Sequence, residues 1–412
     1  MKRIAMISVH ECPLASSEGK EKGGINVYVY ELSKALSHRG YAVDIFTRAQ
    51  DTVNPRIVQV NENMRVIHLP AGPLTTIPKK DVINYLYEFA DHMHECIEKE
   101  HITYDLIHAH YYYSGVVAHR LKNMYHNPSP IIISFHTLGL MKQLVSRTEV
   151  ANDPSDRIPI EQMLVKYSDF FITSSENDRL YLSSLYDCPK EKIAAISPGV
   201  DTALFHPIDK NNAKKAIGAD PLHRIILGVG RIDPVKGFDV LLFALKILLS
   251  LHPTLKETLC LWIVGGDVDE DKSEWSLELQ KLDTLRSTLG LTTTVRFIRA
   301  QQQEKLANFY AAADVVVMPS HYESFGMVAL EALSCGTSVI ATDVMGISPI
   351  LQTFPSGHVI SANNPIKLAE ELYREITTPK MKPQKNIDRT KLDWSTMARQ
   401  MNEVYKKVAQ SL

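Results

Sequence analysis

Short apolar, β-branched runs alternate with helical patterns along all 412 residues. This alternation predicts an α/β protein built on parallel sheets with helices on both faces. The length exceeds what one ordinary core uses, so two domains are expected. The seam falls at 198–207 (Pro-Gly-Val-Asp-Thr-Ala-Leu-Phe-His-Pro), a segment bounded by Pro and Gly. In the first half the apolar runs predict strands near 3–9, 43–47, 65–69, 106–109, 131–135, 170–173 and 193–196. A helix after Gly24 carries Val29, Leu32 and Leu36 on one face and closes at Gly40. In the second half strands are expected near 225–229, 260–264, 295–298, 315–318 and 338–341, with helices around 240–248 and 327–333. The Pro- and Lys-rich stretch 380–391 is expected to be a solvated connector, and 394–412 a final helical region. Two such domains facing each other would leave a cleft lined by the carboxyl ends of both sheets.

Composition narrows the class. With 45% hydrophobic and 22% charged residues the chain is a soluble globular type, and a net charge of −2 argues against general nucleic-acid binding. Five scattered cysteines without a Cys-x-x-Cys fit reduced thiols in a cytoplasmic protein and argue against zinc. The apolar run 4–9 is too short for a signal-peptide core, and no stretch reaches membrane-spanning length.

Four patterns carry chemistry. The strand 313–318 leads into 319–331 (Pro-Ser-His-Tyr-Glu-Ser-Phe-Gly-Met-Val-Ala-Leu-Glu). Glu323 therefore sits at a strand's carboxyl end, Phe325-Gly326 opens a helix N-terminus to an anion, and Glu331 lies in the helix, placed to accept two ribose hydroxyls. Alone, these would be an ordinary loop glutamate and a helix-face glutamate. Upstream, 228–237 (Gly-Val-Gly-Arg-Ile-Asp-Pro-Val-Lys-Gly) brings Arg231 and Lys236 out of a strand-to-helix loop. A guanidinium fork plus an ammonium suits a diphosphate whose charge grows as its bond to a sugar breaks. The glycine spacing is not that of a dinucleotide fingerprint, and no Walker lysine pattern is present. Gly23-Gly24 opens the first helix, and His136 follows a strand directly.

The Arg–Lys loop and the paired glutamates resemble the donor site of retaining glycosyltransferases of family 4, which have the GT-B fold of two Rossmann-like parallel-sheet domains facing across a cleft. The segments 7–14, 23–29, 104–115, 135–138 and 197–201 extend the resemblance along almost the whole chain, toward the subgroup containing D-inositol 3-phosphate glycosyltransferase and sucrose-phosphate synthase. The resemblance implies an N-terminal acceptor domain over 1–200 that takes back the helix 394–412, and a nucleotide-sugar domain over 201–393. It implies a hexose of glucose or N-acetylglucosamine type, carried by UDP and passed to a phosphorylated polyol or sugar such as inositol 3-phosphate. Catalytic roles fall to His136, Arg231, Lys236 and Glu323. Donor binding falls to Gly23, Gly24, Arg231, Lys236, Phe325, Gly326 and Glu331, and acceptor binding to Asn26, Lys79, Tyr111, Thr137 and Arg157. His136 would lie near the anomeric carbon and the sugar's 6-hydroxyl. The usual proposal for such enzymes is front-face attack assisted by the leaving diphosphate, and no carboxylate pair of the glycosidase kind stands out here. The expected partners are small molecules, with room for a homodimer.

Some positions depart from the pattern. The loop 265–274 is unusually acidic, and Asp267/Asp269 is its only metal-like pair. Solvated charge is the simpler reading, so transfer without an essential metal is expected, with Mg²⁺ optional. Ile25 stands where sucrose-phosphate synthases usually carry Gln. Sucrose-phosphate synthesis onto fructose 6-phosphate is the nearest alternative. A non-catalytic sugar-nucleotide-binding protein and an epimerase on the same fold are the others.

Overall fold

The computed structural model describes residues 1–14, 24–145, 156–268, 271–343, 346, 348–352, 354–378 and 389–410. Gly23, Asp269 and most of the 380–391 connector, named above, lie outside the described residues. The chain forms two compact units, one built on 1–16, 21–198 and 394–412, the other on 199–393.

The first unit holds an eight-stranded sheet: β1 (Arg3–Ile7), β2 (Ala42–Arg48), β3 (Ile57–Asn61), β4 (Met64–Leu69), β5 (Leu106–His110), β6 (Ile131–Ser134), β7 (Phe170–Thr173) and β8 (Ile193–Ala195). Their order is β3-β4-β2-β1-β5-β6-β7-β8. Every pair is parallel except β3–β4. The unforeseen strand of this sheet is β3, an edge strand whose residues are exposed or half-buried, so no apolar run announces it. Strand order reverses between β1 and β5, and a doubly wound sheet binds ligands outside the strand ends at such a switch point.

The last helix, Trp394–Gln410, completes this unit. Trp394 packs edge-on to Tyr28 at 5.8 Å, Tyr41 donates to Asn402 Oδ1 at 2.6 Å, and the buried Tyr405 hydroxyl lies 2.7 Å from His108 Nδ1.

The second unit holds β9 (Arg224–Val229), β10 (Leu259–Val264), β11 (Val295–Ile298), β12 (Val315–Met318), β13 (Ser338–Thr342) and β14 (Gly357–Ile360), in the order β11-β10-β9-β12-β13-β14, all parallel. Side chains alternate between two cores. Leu227, Trp262, Val316 and Val339 enter one, while Ile226, Ile263, Val317 and Ile340 enter the other. Both faces are dry, which is why these strands read as unbroken apolar runs. The switch point here lies between β9 and β12.

Candidate active site

In the second unit the loops after β9 and β12 are locked together by backbone. Gly237 has φ +67°, and a Cβ there would lie 2.2 Å from the Pro319 carbonyl oxygen. Only glycine permits that approach. His321 N–H donates to the Val235 carbonyl at 2.7 Å. The result is an ion pair between Lys236 Nζ and Glu323 Oε2, with both side chains about four-fifths buried. Arg231, on the same loop after β9, is exposed. Gly326, at φ +91°, begins the helix Met327–Ser334. Phe325 is buried in the core, so it can offer a ligand only its backbone. Glu331 is buried, and its Oε2 accepts from the Tyr310 hydroxyl at 2.6 Å. Desolvation pushes its pKa up to about 7, against the opposing effect of the Tyr310 bond.

In the first unit four separate segments meet at one ring. Tyr111 follows β5 with φ +71°, unusual for a bulky residue and a sign that its surroundings impose the conformation. Lys79 Nζ lies 3.9 Å from the ring centroid and the Arg157 guanidinium carbon 5.1 Å from it. Arg157 donates to the Thr137 carbonyl at 2.6 Å and to Thr137 Oγ1 at 3.0 Å. Its Nε donates to Glu161 Oε1 at 2.7 Å, and Glu161 also accepts from the Tyr186 hydroxyl and from Gly139 N–H. Arg157 and Glu161 are both fully buried. The charge of Arg157 is already neutralised by Glu161, because a buried guanidinium needs a counter-charge. Of the two cations, Lys79 is the exposed one.

His136 follows β6 with φ +62°. It is partly buried, edge-on to Tyr28 at 4.7 Å, and its Nε2 lies 3.0 Å from His110 Nδ1. Desolvation brings its pKa down to about 3, so the ring is neutral at physiological pH. Asn26 is buried and spends an amide proton on the Cys12 carbonyl at 2.8 Å, tying the first helix to the loop after β1. Gly24 is the exposed first residue of that helix.

Residues 22–204 match the family model described as Glycosyltransferase Family 4, and 209–391 match that of Glycosyl transferases group 1. The chain is 35% identical over 370 residues to a D-inositol 3-phosphate glycosyltransferase of Catenulispora acidiphila, covering 88% of this chain and 84% of that one. The chain belongs to glycosyltransferase family 4. It is also 35% identical over 380 residues to the D-inositol 3-phosphate glycosyltransferase of Thermobifida fusca, covering 92% and 86%. Among solved structures, a sucrose-phosphate synthase from Thermosynechococcus elongatus superposes with a TM-score of 0.87 at 29% identity over the full length of both chains. A trehalose-6-phosphate synthase superposes at 0.75 with 15% identity, which shows the shared GT-B fold.

One residue of this glycosyltransferase escaped the sequence reading. His10 directly follows the apolar run after β1, the same strand-end position that singles out His136. It is buried, with its ring 4.7 Å from that of Tyr111. Neither ring nitrogen has a hydrogen-bond partner among the described residues; Glu11 Oε1 stands 3.5 Å from Nε2. Desolvation, then the Lys79 charge, lowers its pKa. A buried imidazole whose nearest polar neighbour is the Glu11 carboxylate, with two cations close by, is an exception among buried polar groups. A single histidine after the apolar run 4–9 gave no hint of that convergence.

Proposed function

We propose that this glycosyltransferase moves a hexose of glucose or N-acetylglucosamine type from a UDP-sugar to a phosphorylated polyol such as inositol 3-phosphate, with retention at the anomeric carbon. The observation that carries the acceptor half is the gathering of Lys79, Thr137, Arg157 and His10 around Tyr111. An ammonium, a hydroxyl, a guanidinium and an unsatisfied imidazole suit a phosphomonoester. The donor half rests on Arg231 and Lys236 beside Glu323, with Glu331 for the ribose. In the reaction the C1–O bond to the diphosphate breaks, a C1–O bond to the acceptor hydroxyl forms on the same face, and the hydroxyl proton passes to the departing diphosphate. Lys236 must then share itself between Glu323 and the leaving group, which frees Glu323 to meet the sugar.

The test is to incubate the protein with UDP-glucose or UDP-N-acetylglucosamine and a panel of acceptors, in EDTA and in Mg²⁺, reading product mass and anomeric configuration. A phosphorylated polyol converted with retention, in EDTA as well as in Mg²⁺, is the expected result. Glycosylation of free inositol as fast as its phosphate would remove the acceptor assignment. The similarity to a sucrose-phosphate synthase keeps fructose 6-phosphate in the panel as the second reading.

A further inference from the structure

We infer that Met6 and His110 form a relay that fixes the tautomer of His136, so that His136 turns an unprotonated Nδ1 toward substrate. Three side chains, Met6, His110 and His136, lie in line from the core outward. Met6, on β1, and His110, the last residue of β5, have no exposure to solvent. His110 Nε2 lies 3.4 Å from Met6 Sδ. A thioether carries no proton and can only accept, so His110 Nε2 bears the N–H. A neutral imidazole has one N–H and one lone pair, which leaves His110 Nδ1 as an acceptor. The partner of Nδ1, at 3.0 Å, is His136 Nε2, so His136 Nε2 is the donor and His136 Nδ1 carries the lone pair.

Neutrality of both rings is secured by their setting. Burial pushes His110 far below the ordinary histidine range, and the neighbouring His108 and His136 push it further down. At His136 desolvation outweighs the nearby Glu11 carboxylate, which favours the charged ring, while His10 and Lys79 oppose it. Tyr28 meets His110 and His136 edge-on, at 5.8 and 4.7 Å, and the His108 ring lies 4.2 Å from that of His110. His136 itself has a left-handed backbone, φ +62°, a conformation its surroundings impose. His110 is a positioning residue: it acts on the reaction only through His136. This step rests on the placement of His136 at the reacting centre; the tautomer itself does not.

Long-range proton–nitrogen spectra of the full chain with ¹⁵N-labelled histidine test the tautomer directly. His110 and His136, assigned by single substitutions, are expected to show protonated Nε2 and bare Nδ1. A protonated Nδ1 on His136 overturns the inference whatever the enzyme's activity. For the positioning role, His110→Phe removes the acceptor while keeping an aromatic ring, and His110→Asn returns an acceptor near the place of Nδ1. His110→Phe is expected to lower kcat about tenfold or more with the donor KM nearly unchanged, and His110→Asn to recover most of that loss. Equal turnover in the two variants refutes the positioning role. His136→Ala with undiminished turnover would instead remove His136 from the reacting centre, leaving the spectroscopic result to stand alone.

Discussion

The two units build their sites in opposite ways. In the second, the candidate groups lie on two loops of one sheet, drawn together by backbone contact at Gly237, and the Lys236–Glu323 pair stays partly open to solvent. In the first, the groups arrive from segments as far apart as His10 and Arg157, and the central ion pair, Arg157–Glu161, is dry. The difference teaches where energy resides. A dry pair stabilises the fold only while intact, because removing one partner strands a charge. A half-open pair adds little to stability and is available for exchange with a ligand.

The sharpest way to break this contrast is Arg157→Ala, which leaves the Glu161 carboxylate buried without its counter-charge. We expect a loss of about 3–5 kcal/mol in denaturant melts, largely recovered when Glu161→Leu is added to Arg157→Met. A loss below 1 kcal/mol would show that the pair is not the dry anchor described.

Lys236→Ala and Arg231→Ala should do the reverse, leaving the melting temperature almost unchanged while turnover falls about a hundredfold, near 3 kcal/mol of transition-state stabilisation. Near-normal turnover in both would take the diphosphate away from this loop.

Glu331 sharpens the comparison through pH. Its folded pKa, about 7, stands above its ordinary value of 4.5, so its contribution to stability is complete below pH 4.5 and is lost as pH rises through 7. The stability of the wild type relative to Glu331→Gln should therefore fall by up to roughly 3 kcal/mol across that window. Donor affinity should move the other way, rising about tenfold per unit up to pH 7 as the carboxylate able to accept ribose hydroxyls forms. A flat difference in melts between pH 4.5 and 7 contradicts the assignment.

The smallest effect is expected at Lys79. As an exposed cation it can be removed without unfolding, and Lys79→Ala should weaken a phosphorylated acceptor about tenfold while leaving its plain analogue unchanged, with a shallower salt dependence than the wild type. An unaltered preference would leave phosphate recognition to the buried groups alone.

The same contrast explains what could be read from the chain. Lys236, Glu323 and Glu331 lie within one strand–loop–helix unit or its neighbour across the switch point, so strand ends and spacing expose them. The convergence of Lys79, Tyr111, Thr137 and Arg157 came from resemblance alone, since nothing local links residues some eighty positions apart. Glu161, which neutralises Arg157, stands four residues along the same helix and looks like any surface i,i+4 pair until burial is known. His10 was missed for a related reason: an orphaned nitrogen is a property of packing. The edge strand β3 and the short β14 lack the apolar run that marked every other strand.

The helix Trp394–Gln410 has a consequence for how the protein is made. It supplies Trp394 and Tyr405 to a core begun by the first residues of the chain, and Tyr405 is the partner of the buried His108. A nascent first unit therefore lacks part of its interior while the ribosome translates the second. At typical elongation speeds of about 5–20 residues per second, that interval lasts on the order of tens of seconds. During it the groove that awaits the helix is an open apolar surface in the cell, and the second unit, whose strands are all contiguous in sequence, is free to finish first.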